Sequence, residues 1–144
     1  MEINLAFAVS NDNNFEKKHF GDADKYLIYK HVSDTIELIE EHPNTFKQMD
    51  EEHQHGSKKK GNAIIDFLKG KNVNVLVSQQ FGKNIRMINE HFIPVKISSE
   101  KPDEVIHILN QHFHWIKDEL QHAKSGFKLF TIKSGILKSH IGEK

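Results

Sequence analysis

The sequence of 144 residues contains no cysteine, and this absence excludes several kinds of site. The chain cannot supply thiolates to an iron–sulfur cluster or to zinc, and it has neither a disulfide nor a thiol nucleophile. Any metal must therefore bind histidine nitrogen or carboxylate oxygen. With only 3 prolines and 8 glycines, the chain also lacks the composition of a collagen-like or disordered protein.

Neither sign of charge is in excess, because 20 Lys+Arg balance 20 Asp+Glu. The net charge gives no general attraction to nucleic acid or to a membrane surface, and neither is predicted as a partner. Long apolar runs are also missing, since the longest, residues 5–9, is far short of the ~20 residues of a membrane span. Glu2 stands where a signal peptide would carry positive charge, so we expect a cytoplasmic protein.

The hydrophobic residues that are present, 37% of the chain with 10 Phe among them, suffice for a folded core. Their periodicity predicts the order strand, hairpin, helix, strand, helix, strand, helix. The predicted strands are residues 3–9, 26–29, 35–39, 73–77 and 92–97, with one more at 127–133. The predicted helices begin at Asn62, Asn84 and Pro102, and residues 42–60 are predicted as a long polar loop.

This order predicts an α/β protein with a mixed sheet of five strands. The hairpin of residues 26–39 is expected to be antiparallel, and the strands that start at Ile3, Val73 and Phe92 are expected to be parallel. We assign residues 1–125 to one α/β domain and residues 126–144 to a C-terminal extension with a strand and a basic tail. The third helix should reach about Lys124, and its length of roughly 35 Å at 1.5 Å per residue leaves its far end for a homodimer contact.

The tripeptide His19-Phe20-Gly21 follows the opening strand and precedes a strand that reads Tyr-Leu-Ile-Tyr. With the later His/Gly loop and the alternating helices and strands, this series over residues 3–123 resembles the dinitrogenase iron–molybdenum cofactor biosynthesis family. The resemblance implies a ribonuclease-H-like fold with helices on both faces of the sheet. It also implies a role like that of the small carrier proteins of nitrogenase cofactor assembly, with an iron–sulfur or iron–molybdenum cluster as cofactor and assembly proteins as partners.

The chain departs from the family pattern at three points. The loop after the Val73 strand, Ser78-Gln79-Gln80-Phe81-Gly82, has a single glycine where the family tends to be glycine-rich. Cysteine is missing, and the chain continues past the usual end of the family after about Ser125. We therefore expect a divergent member, for which the bound species is an iron–sulfur or molybdenum cluster, a simpler oxyanion, or another ligand.

The cofactor is expected at the end of the sheet, where α/β folds commonly bind ligands. A neutral His19 imidazole could ligate iron or donate a hydrogen bond to sulfide, although a loop histidine bonded to the backbone is an equal alternative. The amides that start the second helix could receive an anion. The predicted cofactor-binding residues are His19, Phe20, Gly21, Gln80, Gly82, Lys83 and Asn84, although Phe20 is more simply explained as a core residue.

Other histidines are candidate metal ligands. His53 and His55 could close onto a metal together with His19, or with His42, Glu51 and Glu52, but a solvated mobile loop explains the same residues. His107, His114 and His122 share a stripe of the third helix with Gln111 and Asp118, which is more often a plain polar face or a dimer seam. The run Lys58-Lys59-Lys60 could steer an anionic cofactor, although solvated surface is the preferred interpretation.

Three classes of function remain for these residues. A non-catalytic binding or carrier protein is the first, and a small-ligand or protein-docking module without metal is its alternative. A metal-dependent nuclease would need several carboxylates around paired metal ions. The first strand has no acidic residue in its interior, Asp12 lies past its end, and Glu37 is the only acidic residue placed centrally in the hairpin. No nucleophile motif or phosphate-cradling loop is present either, so we expect a protein that is not an enzyme.

Overall fold

The computed structural model describes residues 2–15, 17–47, 56–82, 85–124 and 126–140. They form one mixed sheet of seven strands in the order β3-β2-β1-β4-β5-β6-β7. The strands are β1 (Ile3–Val9), β2 (Lys25–Val32), β3 (Thr35–Pro43), β4 (Val73–Ser78), β5 (Ile93–Ile97), β6 (Leu129–Lys133) and β7 (Ile136–His140). The helices are α1 (Gly56–Gly70), α2 (Ile85–Ile88), α3 (Pro102–Gln111) and α4 (Phe113–His122), with a short 3-10 turn at Phe20–Asp22.

The predicted strand directions are confirmed. β2 and β3 form an antiparallel hairpin, β1 pairs with β2 in antiparallel fashion, and β1, β4 and β5 run parallel. The tight turn between β2 and β3 places Ser33 and Asp34 at positive φ, which suits a two-residue hairpin turn. The α/β class and the mixed sheet follow directly from the alternation in the sequence.

Helices cover both faces of the sheet, and each face has its own core. Along β1, Leu5 and Phe7 point into a cluster that includes Val105 and Ile116 of α3 and α4. The alternate residues Ala6 and Ala8 point into the other cluster, which contains the following residues of α1 and α2: Ile64, Ile65, Leu68 and Ile88. The period of two along a buried strand therefore divides the core into two layers.

The centre of the sheet is a point where the chain changes direction. After β1 the chain continues to β2 on one side, whereas after β4 it continues to β5 on the other side. The carboxyl ends of the parallel neighbours β1 and β4 therefore open a crevice between the diverging segments, which is where open α/β sheets bind ligands. Residues 17–24 and 79–82 border this crevice.

Three boundary predictions were wrong. α1 already includes Gly56 and does not begin at Asn62, and β3 continues to Pro43, so residues 42–43 and 56–60 of the predicted loop belong to regular elements. Residues 48–55 lie outside the described residues. Gly56, Gly61 and three lysines gave no apolar period by which the first turns of α1 could be recognised.

The third predicted helix is two helices, α3 and α4, separated at His112. His112 has φ −124° and ψ 25°, and its amide bonds to the Leu109 carbonyl at 3.2 Å, which closes α3 before Phe113 starts α4. No proline or glycine marks this break in the sequence. Each helix has 10 residues, so the argument for a homodimer from one long helix no longer holds.

The extension adds two strands where one was predicted. The strand over residues 127–133 is confirmed as β6, which pairs in parallel with β5. Residues 136–140 of the predicted basic tail instead form β7, after a turn at Ser134 and Gly135, both at positive φ, and residues 141–144 lie outside the described residues. Glu100 receives hydrogen bonds from the Ser98 amide at 3.0 Å and the Gly135 amide at 3.3 Å, and so ties this hairpin to the end of β5. Among the helices of the described residues, none is long and apolar enough to cross a membrane.

Candidate functional site

Two loops meet at the carboxyl ends of β1 and β4. We call residues 19–24 the His19 loop and residues 79–82 the Gln80 loop. The Phe20 amide donates a hydrogen bond to the Gln80 carbonyl at 2.8 Å, and His19 and Gln80 form a parallel bridge. The Gln80 side-chain amide donates to the Lys17 carbonyl at 2.8 Å. Backbone contacts therefore hold the two loops together as an extension of the β1–β4 pair.

The His19 imidazole lies directly against Gly82. A Cβ atom added to Gly82 would be 2.7 Å from His19 Nδ1 and 3.0 Å from Cε1, closer than atoms can pack. Gly82 also has φ +73°, a conformation that residues with a Cβ rarely adopt. The single glycine of the Gln80 loop is therefore required both for the turn and for the approach of the imidazole. His19 itself is exposed at the mouth of the crevice.

Phe20 anchors the His19 loop from below. Its ring is 2% exposed and stacks on Tyr26 and Phe81, with ring centroids 4.9 Å and 5.9 Å away. The Tyr26 hydroxyl donates a hydrogen bond to the Phe20 carbonyl at 2.9 Å. Burial, together with the charge of Asp22, raises the pKa of Tyr26 well above its ordinary value, so the hydroxyl stays protonated and donates. Phe20 therefore acts as a core residue that fixes its neighbour His19.

Asn44, just beyond β3, fixes the other half of the His19 loop. Its buried side-chain amide donates to the carbonyls of Gly21 at 2.9 Å and Ala23 at 2.8 Å. Its side-chain oxygen accepts a hydrogen bond from the Phe46 amide at 2.9 Å. All of these partners are non-local or belong to a loop, so sequence periodicity gave no signal for Asn44.

Ser78 performs a similar function for the Gln80 loop. Its hydroxyl is fully buried at the end of β4 and donates to the Gln80 carbonyl at 2.9 Å. The same carbonyl accepts the Phe20 amide, so one oxygen joins both loops to the strand end. The crevice is therefore bordered by pre-positioned backbone, which lowers the entropy cost of holding a ligand there.

An ion pair joins α1 to the His19 loop. Lys60 Nζ of α1 is 2.6 Å from Asp22 Oδ1, and the side chains are 6% and 38% exposed respectively. Gly21 packs on the same helix, since an added Cβ would be 3.4 Å from Ile64 Cδ1 and 3.7 Å from Lys60 Cε. For Lys60 the preferred interpretation of the lysine run as solvated surface was wrong. The sequence analysis did not single out Asp22, although it directly follows His19-Phe20-Gly21.

A cavity of about 220 Å³ opens between these loops, α1 and α2. Its polar lining comes from His19, Asp22 and Lys60. The rest of the lining is mainly apolar and includes Ile64, Leu68, Leu76, Phe81, Met87 and Phe92. An apolar pocket with a few converging polar groups is the usual form of a ligand site.

The structure thus brings together His19, Phe20, Gly21, Gln80 and Gly82 of the predicted cofactor-binding set. The other members, Lys83 and Asn84, lie outside the described residues, as do the candidate ligands His53, His55, Glu51 and Glu52. Within the described residues α2 begins at Ile85, directly after Lys83 and Asn84, so the anion site predicted there stays a prediction. His42 lies on β3, where its Nε2 bonds to Glu40 Oε1.

The histidine stripe of the third helix is divided by the break at His112. His107 pairs with Gln111 on α3 at 3.1 Å, whereas His122 bonds the Asp118 carbonyl on α4 at 2.8 Å. Asp12 lies in the turn after β1 and Glu37 on the edge strand β3. Within the described ranges, no group of three or more histidine and carboxylate side chains is arranged to hold a metal ion.

Comparison with known proteins gives one result that agrees with this geometry. A search of curated proteins finds no match to the chain. The sequence profile of the family described as dinitrogenase iron-molybdenum cofactor matches residues 1–112, which span β1 to α3 and include both loops of the crevice. The chain therefore belongs to the dinitrogenase iron-molybdenum cofactor family.

Proposed function

We propose that the protein is a non-catalytic carrier that holds an anionic metal cluster or oxyanion at the crevice between the His19 and Gln80 loops. The observation that carries the proposal is the seating of the His19 imidazole on Gly82, where the loops after β1 and β4 are joined. Membership of a family linked to the iron–molybdenum cofactor supports this class of cargo.

The donor set suits a preassembled cluster better than a bare ion. A bare ion needs several protein ligands, whereas a cluster already satisfies most of its metal positions with bridging sulfide. One imidazole, a good ligand for iron, is then enough to anchor such a cargo. The apolar lining of the cavity excludes water and lowers the local dielectric constant. This strengthens contacts from His19 and Lys60 to an anion.

A small number of contacts between the protein and its cargo also favours release of the cargo. A cargo held through one imidazole and a small number of polar groups leaves more readily than one held by several thiolates, and a carrier must transfer its cargo to the next protein. His53, His55, Lys83 and Asn84 remain predicted contributors to the same site, and cofactor-assembly proteins remain the predicted recipients.

The direct test is anaerobic titration with two probes, a synthetic iron–sulfur cubane with labile chloride ligands and tetrathiomolybdate, followed by visible absorption. His19→Ala should weaken binding by roughly 10- to 100-fold, the equivalent of the ~1.5–3 kcal/mol of a charge-assisted hydrogen bond. The matched control is His107→Ala, which removes an exposed imidazole on α3 and should leave affinity unchanged. Equal affinity in His19→Ala and wild type, or no binding by wild type, would contradict the carrier proposal.

The apolar cavity favours a second candidate, a module that binds a small organic molecule without metal. Its walls, formed by residues such as Leu68, Leu76 and Phe92, would bury an apolar ligand. The same titrations separate the two candidates. The second candidate would be established if the protein binds neither anionic probe but does bind a neutral apolar dye. Leu76→Trp, which fills the cavity, should then abolish binding of the dye.

A further inference from the structure

The two side chains of the Lys60–Asp22 ion pair differ in exposure, and this difference suggests a functional role. The Lys60 side chain is 6% exposed and belongs to α1, whereas Asp22 is 38% exposed and belongs to the short turn of the His19 loop. The carboxylate can therefore turn to water if it is displaced, but the ammonium group cannot. Burying a lysine is costly, and a buried ion pair seldom stabilises a fold more than apolar residues would.

The location of the pair connects it to the crevice. Both side chains line the same cavity as His19, and Gly21 packs against Lys60 Cε and Ile64. An anion bound beside His19 would meet the ammonium group of Lys60 and the carboxylate of Asp22 together. It would be attracted by the first and repelled by the second.

We infer that Lys60 is the anion-recognition group of the crevice and that Asp22 competes with the cargo for it, so that Asp22 promotes release. This inference rests on the proposed carrier function. When the anion enters, it replaces the carboxylate as the partner of Lys60, and the Asp22 side chain moves into water. When the anion leaves, Asp22 restores its ion pair with Lys60.

The test is anaerobic titration of the full chain with tetrathiomolybdate in two opposite variants. Asp22→Asn removes the competing charge but keeps an oxygen that Lys60 can bond, and it should tighten binding by about tenfold and slow dissociation. Lys60→Met should weaken binding by roughly 10- to 100-fold, and Lys60→Arg should retain most of the affinity. Asp66→Asn and Lys69→Met are matched controls, because both alter exposed charges on α1 and should change nothing.

A merely structural ion pair predicts the reverse pattern. In that case Asp22→Asn would lower the melting temperature and leave affinity equal to or weaker than that of wild type, which would overturn the inference. If Lys60→Met does not fold, the affinity of Asp22→Asn for tetrathiomolybdate tests the inference by itself. Loss of affinity in His19→Ala with no change in either Asp22→Asn or Lys60→Met would reject this inference and keep the carrier proposal, whereas failure of wild type to bind would reject the carrier proposal itself.

Discussion

Gly82 is the residue at which the crevice tolerates least change. Its φ of +73° disfavours any side chain, and the His19 ring occupies the space that a Cβ would need. The first constraint is conformational and the second is steric, so they can be separated by comparison with Gly135, which has φ +77° but open space around its Cα.

Gly82→Ala should therefore displace the His19 imidazole and weaken cluster binding to the extent of His19→Ala. The positive φ alone costs on the order of 1–3 kcal/mol in folding stability, and Gly135→Ala should show that cost without any loss of binding. Chemical denaturation gives the stabilities and anaerobic titration the affinities. Full binding by a folded Gly82→Ala variant would show that the position of the ring is not important.

At the scale of residues, the site residues that could be predicted are those in or next to a recognisable sequence motif. His19, Phe20, Gly21 and Gln80 are adjacent, because the order of strands makes the loops after β1 and β4 neighbours. Asn44 could not be recognised, and Lys60 could not be distinguished from its neighbours in the lysine run. Lys60 is the last of three identical residues, and Asn44 acts through carbonyls that are more than 20 positions away.

The joint between α3 and α4 is the element that most clearly depends on one titratable group. His31 of β2 stacks on Phe113, the first residue of α4, with ring centroids 3.7 Å apart and planes inclined by 10°. The His31 side chain is buried, and within the described structure its Nδ1 has no hydrogen-bond partner. Burial and then the charge of Lys117 lower the pKa of His31, against the opposing effects of Asp34 and Asn110.

The lowered pKa makes the joint sensitive to acid. Below the unfolded value near 6.5, the unfolded chain binds a proton that folded His31 resists, so the free energy of unfolding falls as pH decreases. His31→Phe keeps an aromatic ring stacked on Phe113 but removes the imidazole that titrates. Between pH 7.5 and 5.5, wild type should lose stability more steeply than His31→Phe, by up to about 1.4 kcal/mol per pH unit.

Urea denaturation at several pH values measures this difference, and the other histidines contribute equally to both proteins. His107→Phe removes an exposed histidine on α3 and is the control. Its free energy of unfolding should fall with decreasing pH as steeply as that of wild type. Parallel pH profiles for wild type and His31→Phe would show that His31 does not control the joint.

At the scale of elements, prediction succeeded where an apolar period was continuous and failed where tertiary contacts decide. The strands β1, β2, β4 and β5 follow from alternation or from runs of β-branched residues. The break at His112 does not interrupt the apolar spacing, and it occurs where Phe113 meets His31 across the core. β7 was missed because Lys138 suggested a tail, although Ser134-Gly135 after a predicted strand and before Ile136-Leu137 is a hairpin signal.

As a whole, the molecule has a different apolar core on each face of its sheet. The face covered by α3 and α4 has the larger cluster, which includes Phe130, Ile132 and Leu137 of the C-terminal hairpin. The face covered by α1 and α2 contains the cavity and the Lys60–Asp22 pair. The central claim is that cargo binds on this second face, at the carboxyl ends of β1 and β4.

Amide chemical-shift mapping during an anaerobic titration with tetrathiomolybdate tests that claim most directly. We predict that the largest shifts occur in the His19 loop, the Gln80 loop and the turn of α1 that contains Lys60, while β6, β7 and α4 stay unchanged. Shifts confined to His107, His114 and His122, or to the β6–β7 hairpin, would contradict the account, as would a spectrum that does not change at saturating tetrathiomolybdate.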